Sequence, residues 1–552
     1  MEKADLILYS TAIFDSVQDR PFPGAVVIRG NRIIFVGDRQ TAETYASPDT
    51  TRKDFGNQLI MPGFFDGHGH YQTAAVREFG DCIKHLEGCR SEQEVVDGVV
   101  RYLEENPNCQ RVHGRCFFLT SWGRGAPEPT RASLDAAVPD IPVYLLSSSG
   151  HSAWLNSAAI NECHLDSIIH QHPEWPDEYA RRDENGELTG FLCENLSYTV
   201  RYIVEVYDHE DIAQWDEQFM HLLNKHGITS FTECNALPAR VQIDTIEPLK
   251  RLENQGALTI RYHQWCGTNV LGKNEDHAAQ SGLVDLKYLG TYFSTDKIRV
   301  AGAKFMLDGV PDTCTGAMLQ PYANRPAASG DLLSDPEAFC EAVECANNMG
   351  LSVKVHCLGD RSTKVAIDAF ERSWKKNGAM RNAVEHMNII TDEDVQRMAK
   401  YGVIASVQPA HLTDWLNGCG EVLYGPERNR KESRYRDLIN AGVKISVGTD
   451  TPVVRIDPIR TIYAAVTRRG FEDGELKCSN PDQAMTLAEV LKGYTIGAAF
   501  ASGFEDRAGT LEAGKLADVA VISRNLFELD PEQIKQARNI CTIFDGKIVY
   551  EG

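Results

Sequence analysis

Hydrophobic and polar positions change rhythm several times along the chain. The first sixty residues run in short alternating stretches, DLILYSTAIFD, GAVVIRGNRIIFVGD and DFGNQLIMPG, broken by turn residues. Alternation of period two marks half-buried strands, and Gly30-Asn31 between two such runs marks a turn. The same texture returns at the far end in ADVAVISRN and ICTIFDGKIVYEG. Ends of like pattern predict one small β-sandwich domain over 1–60 and 502–552, with the rest of the chain inserted between its halves.

From about Ile228 the rhythm becomes apolar run, then charged stretch. The runs are ITSFTEC, LTIRYHQWC, IRVAGAKFML, LSVKVHCLG, NAVEHMNII, VIASVQPA and VKISVGTD. Between most of them lie stretches of helical length, such as DPEAFCEAVECANNMG, DRSTKVAIDAFERSWKKNG and TDEDVQRMAKYG, and several end in glycine, a common helix stop. With the run before His68 the count reaches eight strands, which predicts an α/β fold, a (β/α)8 barrel over 61–501. From about Ile83 to Tyr207 the text is turn-rich, with Pro127, Pro129, Pro139, Pro142, Pro173 and Pro176, and shows no steady alternation. It reads as an insertion after the first barrel strand, a lid or wall over the mouth.

Size and composition narrow the classes. A chain of 552 residues exceeds one ordinary core, and 42% apolar with 24% charged residues excludes a disordered chain. The formal net charge of −22 repels phosphate backbones and anionic lipid, arguing against nucleic-acid and membrane partners. No apolar stretch approaches the roughly 18 residues a membrane helix needs. The opening MEKADLILYS does not read as a secretory signal, and fifteen cysteines without a CxxC pair suit a reducing, cytoplasmic compartment. The expected partner is a small-molecule substrate, and assembly as a homodimer is allowed.

The chemistry starts in LIMPGFFDGHGHYQTA, residues 59–74. Positions i and i+2 of a strand share a face, so His68 and His70 project together from its end. Taken alone, the pair reads equally as half of a metal site or as solvated turn histidines. The other strand ends decide it. Lys304 in AGAKFMLDG, His356 in VKVHCLGD, His386 in AVEHMN and Asp450 in SVGTDTP each interrupt or close an apolar run, and barrels of this kind place catalytic groups there. Imidazole and carboxylate ligands together suit zinc or a similar divalent ion.

On these residues the chain resembles the amidohydrolase superfamily, and within it the amidohydrolase-3, YtcJ-like branch that includes N-substituted formamide deformylases. PGFFDGHGH is similar to the signature of the first barrel strand. GHSAWLNSAAI, AKFMLDG, HCLGDRSTKVAIDAF, EHMNII and GTDTPV follow the branch's later motifs in order, and AGTLEAGKLADVAVI resembles the return to the small sandwich. The resemblance covers nearly the whole chain and is weakest between Ile83 and Pro142. It implies two divalent ions, zinc by preference. His68 and His70 would hold one and His356 and His386 the other; Lys304, carbamylated, would bridge them, and Asp450 would ligate the first ion and shuttle protons. Glu233, in TSFTEC, is an alternative bridge.

Weaker signals mark the pocket. His151 in SSGHSAW, His411 after the seventh strand, Trp122 and Trp154 are candidates for substrate contact, each with a structural reading of equal or greater weight. The implied reaction is hydrolysis of a C–N bond in an amide, N-acyl or N-formyl amine by a metal-activated hydroxide. Rivals are another enzyme on this scaffold (deaminase, esterase or lactonase, hydratase, decarboxylase) and a non-catalytic interaction protein.

Overall fold

The computed structural model describes residues 3–123, 126–238, 243–267, 278–472 and 480–552. Eight strands follow one another in chain order around its centre: β1 (Phe64–Gly69), β2 (Ile228–Pro238), β3 (Arg261–Gly267), β4 (Ile298–Met306), β5 (Ser352–Cys357), β6 (Ala383–His386), β7 (Ile404–Val407) and β8 (Ile445–Val447). Each pairs in parallel with the next, for example Lys304 with Lys354 and Cys357 with His386. This is the α/β barrel that the alternation of runs predicts. Every residue of β1, β6 and β7 is buried, so burial does not alternate along these strands.

The helices between strands carry the expected signals. Pro336–Asn348 opens with Asp335 accepting from the backbone of Glu337 and Ala338 and with proline at its first position. Asp392–Tyr401 opens on Thr391 and ends at Gly402, whose φ of 67° lies in the left-handed region.

Between β8 and β1 the barrel closes at its mouth. The Asp450 amide donates to the His68 carbonyl at 2.7 Å, and the His70 amide donates to the Thr451 carbonyl at 2.8 Å. Below them the buried Asp66 carboxylate accepts from the Thr449 hydroxyl at 2.6 Å and the Thr449 amide at 2.9 Å. The glycines of this seam are required by contact: a Cβ on Gly448 would strike the His68 backbone, and one on Gly67 would strike Ser446 and Val447.

Both ends of the chain share one further sheet. Its order is Lys547–Glu551, Asn539–Phe544, Val519–Ile522, Leu59–Pro62, Leu6–Ile13, Phe22–Arg29, Arg32–Gly37, with Thr51–Asp54 beside Leu6–Ile13. Leu59–Pro62, just before β1, pairs antiparallel with Val519–Ile522, and Gly30, at φ 54°, turns the hairpin. Arg261 of β3 ties this sheet to the barrel through Asp518, Nε to Oδ2 at 2.7 Å, and through Asp545.

The turn-rich stretch after β1 is more ordered than its text suggests. It folds into a five-stranded sheet, Ala180–Arg182, Leu188–Cys193, Ser152–Leu155, Val143–Ser147 and Val112–Phe117, with its own core around Leu145, Trp154 and Phe191. Its strands are short and mostly buried throughout, which erases the period-two signal. No described helix is long and apolar enough to cross a membrane, and the described cysteines are all unpaired.

Candidate metal centre

At the C-terminal ends of the strands, side chains from β1, β6, the β7 loop and the β8 loop converge on one carboxylate. Asp450 Oδ1 lies 3.1 Å from His70 Nε2 and 3.4 Å from His68 Nε2. Its other oxygen lies 3.2 Å from His411 Nε2 and 3.8 Å from His386 Nδ1. Three sets of atoms among the described residues are close enough to hold an ion, and Asp450 belongs to two of them, His68–His70–Asp450 and His386–His411–Asp450, the third being His68–Cys234–Glu385. The backbone is bent to aim them: His386 at φ 71° and Asp450 at φ 63° sit in the left-handed region, which side chains with a Cβ seldom enter.

Neighbours fix which ring nitrogen faces the centre. Glu385 Oε2 stands 2.5 Å from His68 Nδ1. A carboxylate only accepts, so the proton sits on Nδ1 and Nε2 is turned to the site. Glu385 is itself held by Lys354, Nζ to Oε1 at 3.0 Å, and Lys354 also donates to the Gly67 carbonyl. Gln408 Oε1 lies 2.8 Å from His386 Nδ1, the nitrogen of that ring that approaches Asp450.

The electrostatics agree with ligands kept unprotonated. Burial, above all, pulls His68 down to about 4, and the nearby Lys304 adds to it against the pull of Glu385 and Asp450. Burial also drives His386 and His356 well below the usual range. Burial alone would raise the Asp450 carboxyl, but His68, His411 and His70 around it hold it well below. His70 goes the other way: burial opposes its charge, yet Asp450 and Glu233 raise it above 6.5.

The residues present fit a divalent cation on structural grounds. Asp450 Oδ1, both ring nitrogens of His411 and Glu233 Oε1 are buried without a hydrogen-bond partner, in a donor set of imidazole nitrogen and carboxylate oxygen.

Other expected residues border this centre. His356 meets the His386 ring edge to face, centroids 4.7 Å apart, but its Nε2 faces the Gly309 carbonyl at 3.4 Å and it belongs to none of these sets. Lys304 is buried on the inner face of β4 beside Lys354 and forms no hydrogen bond among the described residues. Glu233 holds the Tyr71 amide at 2.6 Å and stands 3.7 Å from His70 Nδ1.

From the inserted region His151 reaches down and stacks on His356 at 5.1 Å. Its Nδ1 lies 2.8 Å from Glu194 Oε2 and 2.9 Å from the Tyr198 hydroxyl, and Glu194 also accepts from Thr315. Trp154 lies fully inside the insertion's core, its indole donating to the Thr130 carbonyl, and Trp122 stacks on Phe117 beside it. Both tryptophans are placed as packing residues.

Several functional neighbours have weak or no signatures in the sequence. His411 was expected at the pocket wall, and it stands within ligand distance. Glu385, Lys354, Gln408 and Asp66 were not singled out. Lys354 had a usable signal, since it lies two positions before His356 and so on the same strand face.

A sequence model of the amidohydrolase family matches residues 54–550. The chain is 27% identical to the N-substituted formamide deformylase of Arthrobacter pascens over 540 residues, 96% of this chain and 95% of that protein. It is 25% identical to the putative amidohydrolase YtcJ of Bacillus subtilis, covering 92% of each. Among solved structures, an uncharacterized metal-dependent hydrolase of Pyrococcus horikoshii superposes with a TM-score of 0.71 at 24% identity, over 96% of this chain and 99% of that one.

Proposed function

The chain belongs to the amidohydrolase family, and from that premise we propose that it hydrolyses a C–N bond of a small N-acyl or N-formyl amine. The observation that carries the reading is Asp450, one carboxylate shared by two histidine pairs at the barrel mouth. His68, His70, His386, His411 and Asp450 would hold one or two divalent ions, zinc by preference, with Lys304 as a carbamylated bridge or Glu233 in its place. Bound there, such an ion polarises a carbonyl and acidifies a water.

The protein's own residues do the rest. Asp450 accepts a proton from the attacking water and returns it to the departing nitrogen. Glu385 keeps the proton on Nδ1 of His68, so that this ring presents Nε2, and Gln408 orients His386. His151, oriented by Glu194, faces the substrate from the insertion. The barrel, the unit formed by both chain ends and the inserted region about 83–207 act as catalytic body, support and cover in this reading, within a cytoplasmic enzyme.

The test is direct. Metal analysis of the purified protein should find a tightly bound divalent ion, and N-formyl or N-acyl amines should release free amine. Protein with bound metal that releases no amine from the panel sinks the substrate class; protein that binds no metal sinks the reading as a whole.

A further inference from the structure

One buried charge in the inserted region has nothing to pair with. Arg115, on the strand Val112–Phe117, is 8% exposed. Its Nε and Nη1 are shut off from solvent without a hydrogen-bond partner, and no carboxylate among the described residues lies within ion-pair distance of it. Burial first, and the neighbouring Arg201 second, pull its guanidinium down to about 10.

Its neighbours are already served. Arg201 Nε pairs with Glu205 Oε2 at 2.6 Å, and Arg77 pairs with Glu87. Three guanidinium groups thus face two carboxylates, and the surplus charge is that of Arg115. An unpaired buried charge is among the costliest features a fold keeps, and such features gather where a ligand completes them.

The surroundings indicate where that ligand sits. The guanidinium packs against Gly150, at φ 85°, where a Cβ would collide with Nη2. The next residue is His151, stacked on His356. Tyr198, whose field acts on Arg115, bonds the same imidazole at 2.9 Å. Arg115 therefore neighbours, through Gly150 and Tyr198, the imidazole of His151 that stacks on His356 beside the metal centre.

We propose that Arg115 anchors a carboxylate of the substrate, so that the N-acyl or N-formyl amine hydrolysed here carries an acid group. The inference rests on the hydrolytic reading above for its substrate class, but the anchor is testable without turnover. A planar guanidinium with a free fork is the side chain best matched to a carboxylate.

The experiment compares N-acetyl and N-formyl amino acids with their primary amides, using the metal-loaded protein as purified. Binding is followed by calorimetry and by the shift in melting temperature. The acids should bind at least about tenfold more tightly than the amides, the scale of one charge-assisted hydrogen bond. In Arg115→Met this preference should vanish, while the variant without ligand melts at the same temperature or higher, because an uncompensated charge has left the interior. Arg115→Lys, which keeps the charge and loses the fork, should retain a reduced preference.

Acids and amides acting alike on the native protein, including no response to either, overturn the proposal. So does acid preference surviving in Arg115→Met, or a clear fall in that variant's melting temperature, which would make the arginine a structural one. Amine release is read separately. Acid binding without hydrolysis removes the hydrolytic reading and keeps the anchor, and hydrolysis without acid preference does the reverse.

Discussion

Two buried histidines among the described residues have a glutamate hydrogen-bonded at Nδ1, His68 in the barrel and His151 in the insertion, and the two pairs are finished differently. In the barrel, Glu385 is backed by Lys354 at 3.0 Å, so the pair carries its own compensating cation. In the insertion, Glu194 is backed by the hydroxyl of Thr315, and the cation nearby, Arg115, stands unpaired. The barrel pair has its compensating cation built in. The insertion leaves the buried charge of Arg115 without a partner. Burial pushes the Glu385 carboxyl up, but Lys354 and His68 outweigh it and hold it well below the usual range.

The largest effect should come from the carboxylate at the centre. Asp450→Asn keeps the size and one oxygen ligand but cannot carry a proton, so turnover should fall by about 10⁴ with much of the metal retained. Steady-state rates beside metal content check this, and a variant with native turnover would remove Asp450 from the proton path.

Next is the barrel pair itself. Glu385→Gln should weaken metal binding about 10–100-fold. It also strands Lys354, at a cost of about 3–5 kcal/mol. Competition with a chelator reads the first and urea unfolding the second. Adding Lys354→Met should restore stability but not metal affinity. If it restores neither, the two residues do not form a unit.

The insertion pair should respond less. Glu194→Gln strands no lysine, so about 1 kcal/mol of stability should go, with metal affinity unchanged. A metal loss as large as that of Glu385→Gln would erase the distinction between the two regions.

The smallest effect concerns His263, buried on β3 between Phe65 and Phe504 with neither ring nitrogen bonded. Burial, then Arg299 and Arg261, push it well below its ordinary 6.5. As pH falls below 6.5 the unfolded chain takes up this proton before the folded one does. Its contribution is therefore complete above that value and is lost below it, by at most about 1.4 kcal/mol per pH unit. Urea unfolding at pH 7.5 and 5.5 should show that slope in the native protein and a shallower one in His263→Phe.

The barrel was legible because its strand ends interrupt apolar runs with residues that apolar runs exclude: His68, His70, His386 and Asp450 all stand out for that reason, and all meet. His411 was harder, since it follows its strand by several residues and only the chain's path brings it to Asp450. Glu385 hides beside His386 in AVEH, where neighbouring positions point to opposite faces and nothing in one strand says what lies across the barrel. Arg115 was beyond reach for another reason. An arginine in a short run reads as a surface residue, and a missing partner is a property of three dimensions. The order within the insertion was lost because strands of three to six residues are too short for period to show.

The seam between β8 and β1 also sets when the site can exist during folding. The bond from Asp66 to Thr449 spans 383 residues of sequence. Contacts of such separation form late, because the whole intervening chain must first be arranged. His68 and Asp450 meet on that seam, so the ligand set is assembled by the final closure rather than by any early fragment. A partly folded chain would therefore offer a metal scattered histidines and no shared carboxylate, and the ion would select for the closed barrel by mass action.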